Sequence, residues 1–200
     1  MSLLIGVIGS APGIGKSTLC HALVEGRTEV DHFREEEIVQ RPEFAALAEE
    51  FRASGTVATA TILDCMREFA ESCEKYDVIV ADSLLPFTPS LVAWGRSEPE
   101  IETFMHRLAG ILADHTVVIV YLQGDPDRAL ERAAEREGPG WLESYLQKMR
   151  DCGVEDIKAH RRYENDVTRR MLEAQPWQLI TVDTDGRTAE DIAAEVQQQL

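Results

Sequence analysis

The 200-residue chain contains no apolar run approaching the roughly 18 residues needed to cross a bilayer. Its start also lacks the basic stretch and apolar core of a secretory signal. Neither membrane insertion nor export is expected, and the reading is a cytoplasmic protein. The cysteines are few and scattered: Cys20, Cys65, Cys73 and Cys152 have no CxxC spacing, which argues against zinc or a disulfide framework and for reduced, partly buried thiols. Basic side chains are scarce as well. Twenty Lys and Arg against 36 Asp and Glu leave a formal charge of −16, which repels a polyphosphate backbone over most of the surface and argues against a nucleic-acid partner. No repeat, low-complexity tract or Pro/Gly/Ser linker divides the chain. A length that buries roughly 70% of the unfolded surface therefore predicts one domain over residues 1–200.

The scarce cations are unevenly placed. Arg128, Arg132 and Arg136 lie close together, and Lys158, Arg161, Arg162, Arg169 and Arg170 follow, a clustering that suggests a local anion site in an acidic protein. Strands are expected at Leu3 to Ile8, around Val30 to Phe33, and in YDVIVAD from Tyr76, TVVIVYL from Thr116 and WQLITVD from Trp177. The last three are nearly continuous in apolar and β-branched residues, the pattern of strands covered on both faces. Helical patterns fill the gaps, at Lys16 to Glu25, Pro42 to Ala53, Val57 to Lys75, Pro99 to Ala113, Pro126 to Glu137, Trp141 to Asp151, Val154 to Ala174 and Thr188 to Gln199. Alternation of strand and helix predicts a doubly wound α/β fold with its ligand site at the carboxyl ends of the strands.

One such end carries IGVIGSAPGIGKSTL. The tail of the phosphate-binding pattern GxxxxGK[S/T] is intact in Gly15, Lys16, Ser17 and Thr18, yet the first glycine of the pattern is missing: Ser10 occupies that place and Gly9 stands one position early. A small residue suffices at the strand exit, so Ser10 is expected to be tolerated, while Gly13 supplies a second flexible point. Gly13, Ile14, Gly15, Lys16, Ser17 and Thr18 are the expected nucleotide-binding residues, with main-chain amides and the positive end of the following helix holding the phosphates. The alternative is an ordinary Gly-rich strand-to-helix turn. Charge assigns Lys16 to the β and γ phosphates and the Ser17 hydroxyl to Mg²⁺, with Thr18 near the α phosphate. Asp82, ending the third strand, is the matching carboxylate for the metal, although an acid there also serves as a helix cap.

With these residues in place the chain resembles the P-loop nucleoside and nucleotide kinases, broadly the thymidylate kinase and deoxynucleoside kinase group. The likeness rests on the loop, on VIVYLQGDPDRALERAAEREG as the strand leading into a mobile lid, and on WQLITVDTDGRTAEDIAAEV as the last strand, adenine-side loop and final helix. It implies a three-layer fold with a five-stranded parallel sheet, helices on both faces and an Arg-bearing helical lid over about residues 125–153. It further implies ATP and Mg²⁺ as cofactors and a small-molecule acceptor. Self-association as a homodimer is compatible with it. Arg128, Arg132 and Arg136 recur every four residues and share a helical face whose like charges call for an anion, although Glu131 and Glu135 offer surface pairing instead. Arg132 and Arg136 are the expected catalytic cations beside Lys16.

An acid after the second strand is the expected base in this group. Glu35, Glu36 and Glu37 are all candidates, and Glu37 is preferred because it adjoins Ile38 and Val39; His32 is read as structural. Where the kinases carry an arginine clamp after the third strand, this chain has Asp82, Ser83 and Leu84, so the clamp is absent unless Arg41 or Arg96 replaces it. Phe33, Arg41, Phe87 and Trp94 are the expected acceptor-binding residues, with LLPFTPSLVAWG suited to lining a pocket. The leading reading is a kinase transferring the γ-phosphoryl group of Mg·ATP to a nucleoside, nucleotide or similar acceptor. The rivals are a regulatory NTPase, disfavoured by the missing [N/T]KxD, and a kinase-like protein that binds nucleotide without turnover.

Overall fold

The structure is a computed structural model; it describes residues 2–200 apart from Ser10, Ser83, Leu84 and Cys152, and without the side chains of Glu36 and Val39. Five parallel strands form one sheet in the order β2-β3-β1-β4-β5: β1 (Leu3–Gly9), β2 (Val30–Phe33), β3 (Val78–Asp82), β4 (Thr116–Gln123) and β5 (Gln178–Asp183). Pairing of Val7 with Asp82, Phe33 with Ala81, Gly9 with Leu122 and Gln123 with Asp183 brings the carboxyl ends of all five strands to one edge.

The period of two along each strand divides the core. Leu4, Ile8, Ile79, Ala81, Val117, Ile119 and Tyr121 face one apolar layer; Ile5, Val7, Val80, Val118, Val120 and Leu122 face the other. The first layer is closed by α3 (Thr59–Cys73), α5 (Glu98–Ile111) and α8 (Ile157–Glu173), the second by α1 (Lys16–Val24) and α9 (Ala189–Gln199). Burial on both faces accounts for the unbroken apolarity of β3 and β4. For β5 that expectation is corrected: Gln178, Thr181 and Asp183 are exposed because this strand is an edge of the sheet.

The remaining helices are α2 (Ala45–Ser54), α4 (Thr88–Ala93), α6 (Pro126–Glu137) and α7 (Trp141–Asp151). Starts follow local chemistry. The Asp125 carboxylate accepts from the amides of Asp127 and Arg128 at the head of α6, Asp156 caps α8, Thr188 caps α9, and Ser97 and Glu100 form a capping box on α5. Two elements go beyond the expected helices. A 3-10 turn covers Glu35–Gln40, and α4 lies within the segment read as pocket lining, where Pro89 sits in its first turn. Cys20, Cys65 and Cys73 are buried free thiols; the expectation for Cys152 lies outside the described residues. None of the described helices is long and apolar enough to cross a membrane.

Candidate functional site

β1 has β3 on one side and β4 on the other, so the loop leaving it stands at the topological switch point, where an open α/β sheet forms its crevice. Gly13 and Gly15 have φ of 77° and 107°, left-handed values that side chains other than glycine adopt at a cost. Gly15 caps α1, whose first turn carries no acid to neutralise the positive end of the helix.

The shifted glycine has a local cause. Ile14 is buried at 3% exposure beneath the loop, and a Cβ on Gly9 would overlap its Cγ2. A Cβ on Gly124, just past β4, would stand 3.0 Å from the Ile14 Cδ1. Ile14 thus plugs a gap that two bare backbone positions leave open at the ends of β1 and β4, a burial worth about 1.5–3 kcal/mol. The expectation that Ser10 is tolerated lies outside the described residues.

Gly13 is a point of close approach as well as a turn. A Cβ there would run into the carbonyl of Ala129 and come within 3.0 Å of the Ala133 Cβ. Ala129 and Ala133 are fully buried and form the flat stripe by which α6 rests on the loop. One residue before the second alanine, Arg132 donates from Nε to the Gly13 carbonyl at 3.2 Å. The helix α6, expected to begin a lid, is therefore in contact with the loop.

A cavity of about 470 Å³ opens here, lined by Gly13, Gly15, Lys16, Ser17 and Thr18 from the loop and α1, Arg132 and Arg136 from α6, and Glu35, Pro89, Ser90, Arg161 and Glu164 from elsewhere. Sequence reasoning missed Glu164. It is 3% exposed, accepts two hydrogen bonds from Arg161 Nη1 at 2.7 and 2.8 Å, and shares Arg161 with the Tyr145 hydroxyl. Burial pushes its carboxyl above the ordinary range, against the pull of Arg161 and Lys16. The available signal was an acid on the buried stripe of α8, three, four and seven residues before Val167, Thr168 and Met171. Of the downstream basic cluster only Arg161 reaches the cavity among the described residues. Lys158 pairs with Asp127, Arg169 with Asp166 and Glu173, and Arg170 with Glu98 and Asp166.

Asp82 is 3% exposed at the end of β3. The Cys20 thiol on α1 is pushed up by burial and then by Asp82, and pulled back by Lys16, which locates both charges near the first turns of α1. No group of three or more His, Cys, Asp or Glu among the described residues could hold a metal by itself. A Mg²⁺ ion there would have to take most of its oxygens from phosphate and water, as it does in nucleotide sites; of the two expected protein ligands, Ser17 lines the cavity and Asp82 does not.

The acceptor-side expectations fare differently. Glu37 does not line this cavity. Its carboxylate lies 3.8 Å from Arg34 and borders a separate hollow with Asp31 and Arg41, while Glu35 faces the loop. The reason is the 3-10 turn, in which positions three apart eclipse, so Glu35 and Ile38 share a side and Glu37 is turned away; the Glu36 side chain lies outside the described residues. Phe33, 1% exposed, packs with Phe44 and Phe69 in the core. Arg41 stacks on Phe33 at 4.2 Å and bonds Asp31 at 2.6 Å. Phe87 is buried, and Trp94 packs on the core beside Phe51. Arg128 is exposed away from the cavity, and Arg136 pairs with Glu137. Ser83 and Leu84, where the clamp is missing, lie outside the described residues.

No family model matches the chain. Among solved structures it is similar to deoxyadenosine kinase from M. mycoides with bound dATP, at a TM-score of 0.57 and 13% identity over 98% of this chain and 97% of that one. It is also similar to thymidylate kinase from Candida albicans (TM-score 0.56, 15% identity, 99% and 90%) and to shikimate kinase from Acinetobacter baumannii in complex with shikimate (0.51, 17%, 100% and 92%). The resemblance to the P-loop kinase group thus holds at the level of the fold. In sequence the chain is 27% identical over 168 residues to elongation factor Ts of Mycolicibacterium gilvum (strain PYR-GCK), covering 83% of this chain and 59% of that protein's length.

Proposed function

We propose that this protein is an ATP-dependent phosphotransferase acting on a small molecule. The observation that carries the reading is the meeting of two distant stretches on one cavity: the loop with Lys16, Ser17 and Thr18, and α6 with Arg132 and Arg136. Phosphoryl transfer needs cations around the equatorial oxygens and a place from which water is excluded, and this arrangement supplies the first. The Lys16 ammonium offsets charge on the terminal phosphates, Arg132 is held against the loop by Gly13, and Arg136 stands one turn further along α6. Of the three candidate glutamates, Glu35 lines the cavity, which supports assigning it the proton of an incoming hydroxyl. Mg²⁺, bound with the nucleotide at Ser17 and Asp82, would neutralise charge on the phosphate oxygens. The fold likeness to kinases of nucleosides, nucleotides and shikimate supports the same class.

Two measurements test this. At 100-fold saturation Mg·ATP should stabilise the chain by about 2.7 kcal/mol, a melting shift of roughly 5–11 °C for this size, and Lys16→Ala should remove most of it. Transfer of γ-labelled phosphate to a panel of alcohols, with and without a phosphate of their own, should then give a labelled product. An unchanged shift in Lys16→Ala counts against the loop, and binding without any transfer counts against the enzyme.

A further inference from the structure

The charges around the cavity are segregated by the element that supplies them. Its cations come from the loop after β1 (Lys16), from the helix after β4 (Arg132 and Arg136), and from α8 (Arg161), whose Nη1 donates to both oxygens of Glu164 and whose Nη2 donates to the Tyr145 hydroxyl, while its buried Nε has no partner. The segments after β2 and β3, at the far side of the sheet, contribute Glu35 and Ser90 and no cation among the described residues.

Three arginines of those segments, Arg34, Arg41 and Arg96, make their contacts outside the cavity. Arg34 lies beside Glu37, and Arg41 is fixed between Asp31 and the Phe33 ring. Arg96 donates from Nη2 to the Val57 carbonyl at 3.2 Å, leaves its buried Nε without a partner, and does not line the cavity. Neither residue that could replace the missing clamp lines the cavity. On that side an acceptor's own phosphate or carboxylate would meet the Glu35 carboxylate with no cation from the neighbouring segments to offset it, and like charge there disfavours binding.

We propose that the phosphoryl acceptor is an alcohol carrying no phosphate or carboxylate of its own, neutral or cationic, received against the wall formed by Glu35 and Ser90. The assignment rests on the phosphotransferase reading. In the step, the acceptor oxygen forms a bond to the γ-phosphorus while the bond from that phosphorus to the β,γ-bridging oxygen breaks. ADP leaves with the electron pair, the hydroxyl proton passes to Glu35, and the product is a phosphate monoester.

The test fills the donor site first. With Mg²⁺ and the non-hydrolysable analogue AMP-PNP bound, as reported by the melting shift, inorganic phosphate is titrated at constant ionic strength set with chloride. The wild-type chain should show no second rise. Glu35→Arg, made in parallel with Glu35→Lys on this exposed turn, should gain one of about 3–6 °C at tenfold the dissociation constant. A second rise in the wild type overturns the assignment, because the acceptor end then already accepts an anion. So does silence in both variants, because Glu35 is then not what sets the preference. Faster labelling of a monophosphate than of its phosphate-free alcohol overturns it as well. Absence of the first shift, by contrast, refutes the donor loop itself.

Discussion

If Ile14 plugs the gap above Gly9, then Gly9→Ala should damage the chain through Ile14 and through little else. The new Cβ would overlap the Ile14 Cγ2 and press to 3.3 Å from the Lys16 Cγ, while its next contact, the Leu122 carbonyl at 3.5 Å, is ordinary. Overpacking of this kind costs about 1–3 kcal/mol, or roughly 2–12 °C in melting temperature for a chain of this length. Ile14→Ala alone should cost about 2–5 kcal/mol by opening a cavity. The double variant is the decisive one. Removing Cγ2 vacates the volume that the new methyl needs, so the pair should cost about 1–3 kcal/mol less than the two single losses together. Equilibrium urea unfolding of the wild type and the three variants measures this coupling. The same displacement lifts the loop, so Gly9→Ala should also lose part of its Mg·ATP-dependent stabilisation. Additive losses within about 0.5 kcal/mol would refute the plug and leave the early glycine unexplained.

Two further outcomes are expected. If the proposed reading holds, Arg132→Ala should lower turnover more than ATP affinity, because its guanidinium lines the cavity from α6 while the loop would hold the nucleotide; equal activity in steady-state assays would remove α6 from the mechanism. Burial, helped by His21 and Arg34, holds the His32 imidazole below its ordinary range. The unfolded chain therefore binds more protons below about pH 6.5, and acidification drains the stability that neutral His32 contributes. His32→Asn should lose less stability than the wild type between pH 7 and 5.5 in urea titrations, and parallel slopes would contradict the assignment.

The sequence alone was enough for the five strands and for the strand-loop-helix junction after β1, because both are written in short-range patterns. Period-two and unbroken apolar runs marked all five strands, and Gly15, Lys16, Ser17 and Thr18 specify a strand-loop-helix junction whatever surrounds them. Even the substitution at the first glycine was visible, though not its reason, since the contact of Ile14 with Gly9 and Gly124 joins two strands far apart in the chain. The acceptor side was legible only as a set of alternatives. Three successive glutamates differ in direction by the pitch of a 3-10 turn, and only that turn decides that Glu35 meets the cavity while Glu37 meets Arg34. Phe33 and Phe87 are likewise expected from the sequence to bind the acceptor, but burial in a shared core takes both away from the cavity. Glu164 and Arg161 enter because α8 packs back against α4, a long-range contact that no local spacing encodes. The chain's own letters thus dictate the glycine-rich turn between β1 and α1, whereas the charges that line the cavity beside it are settled only when segments distant in sequence are brought together.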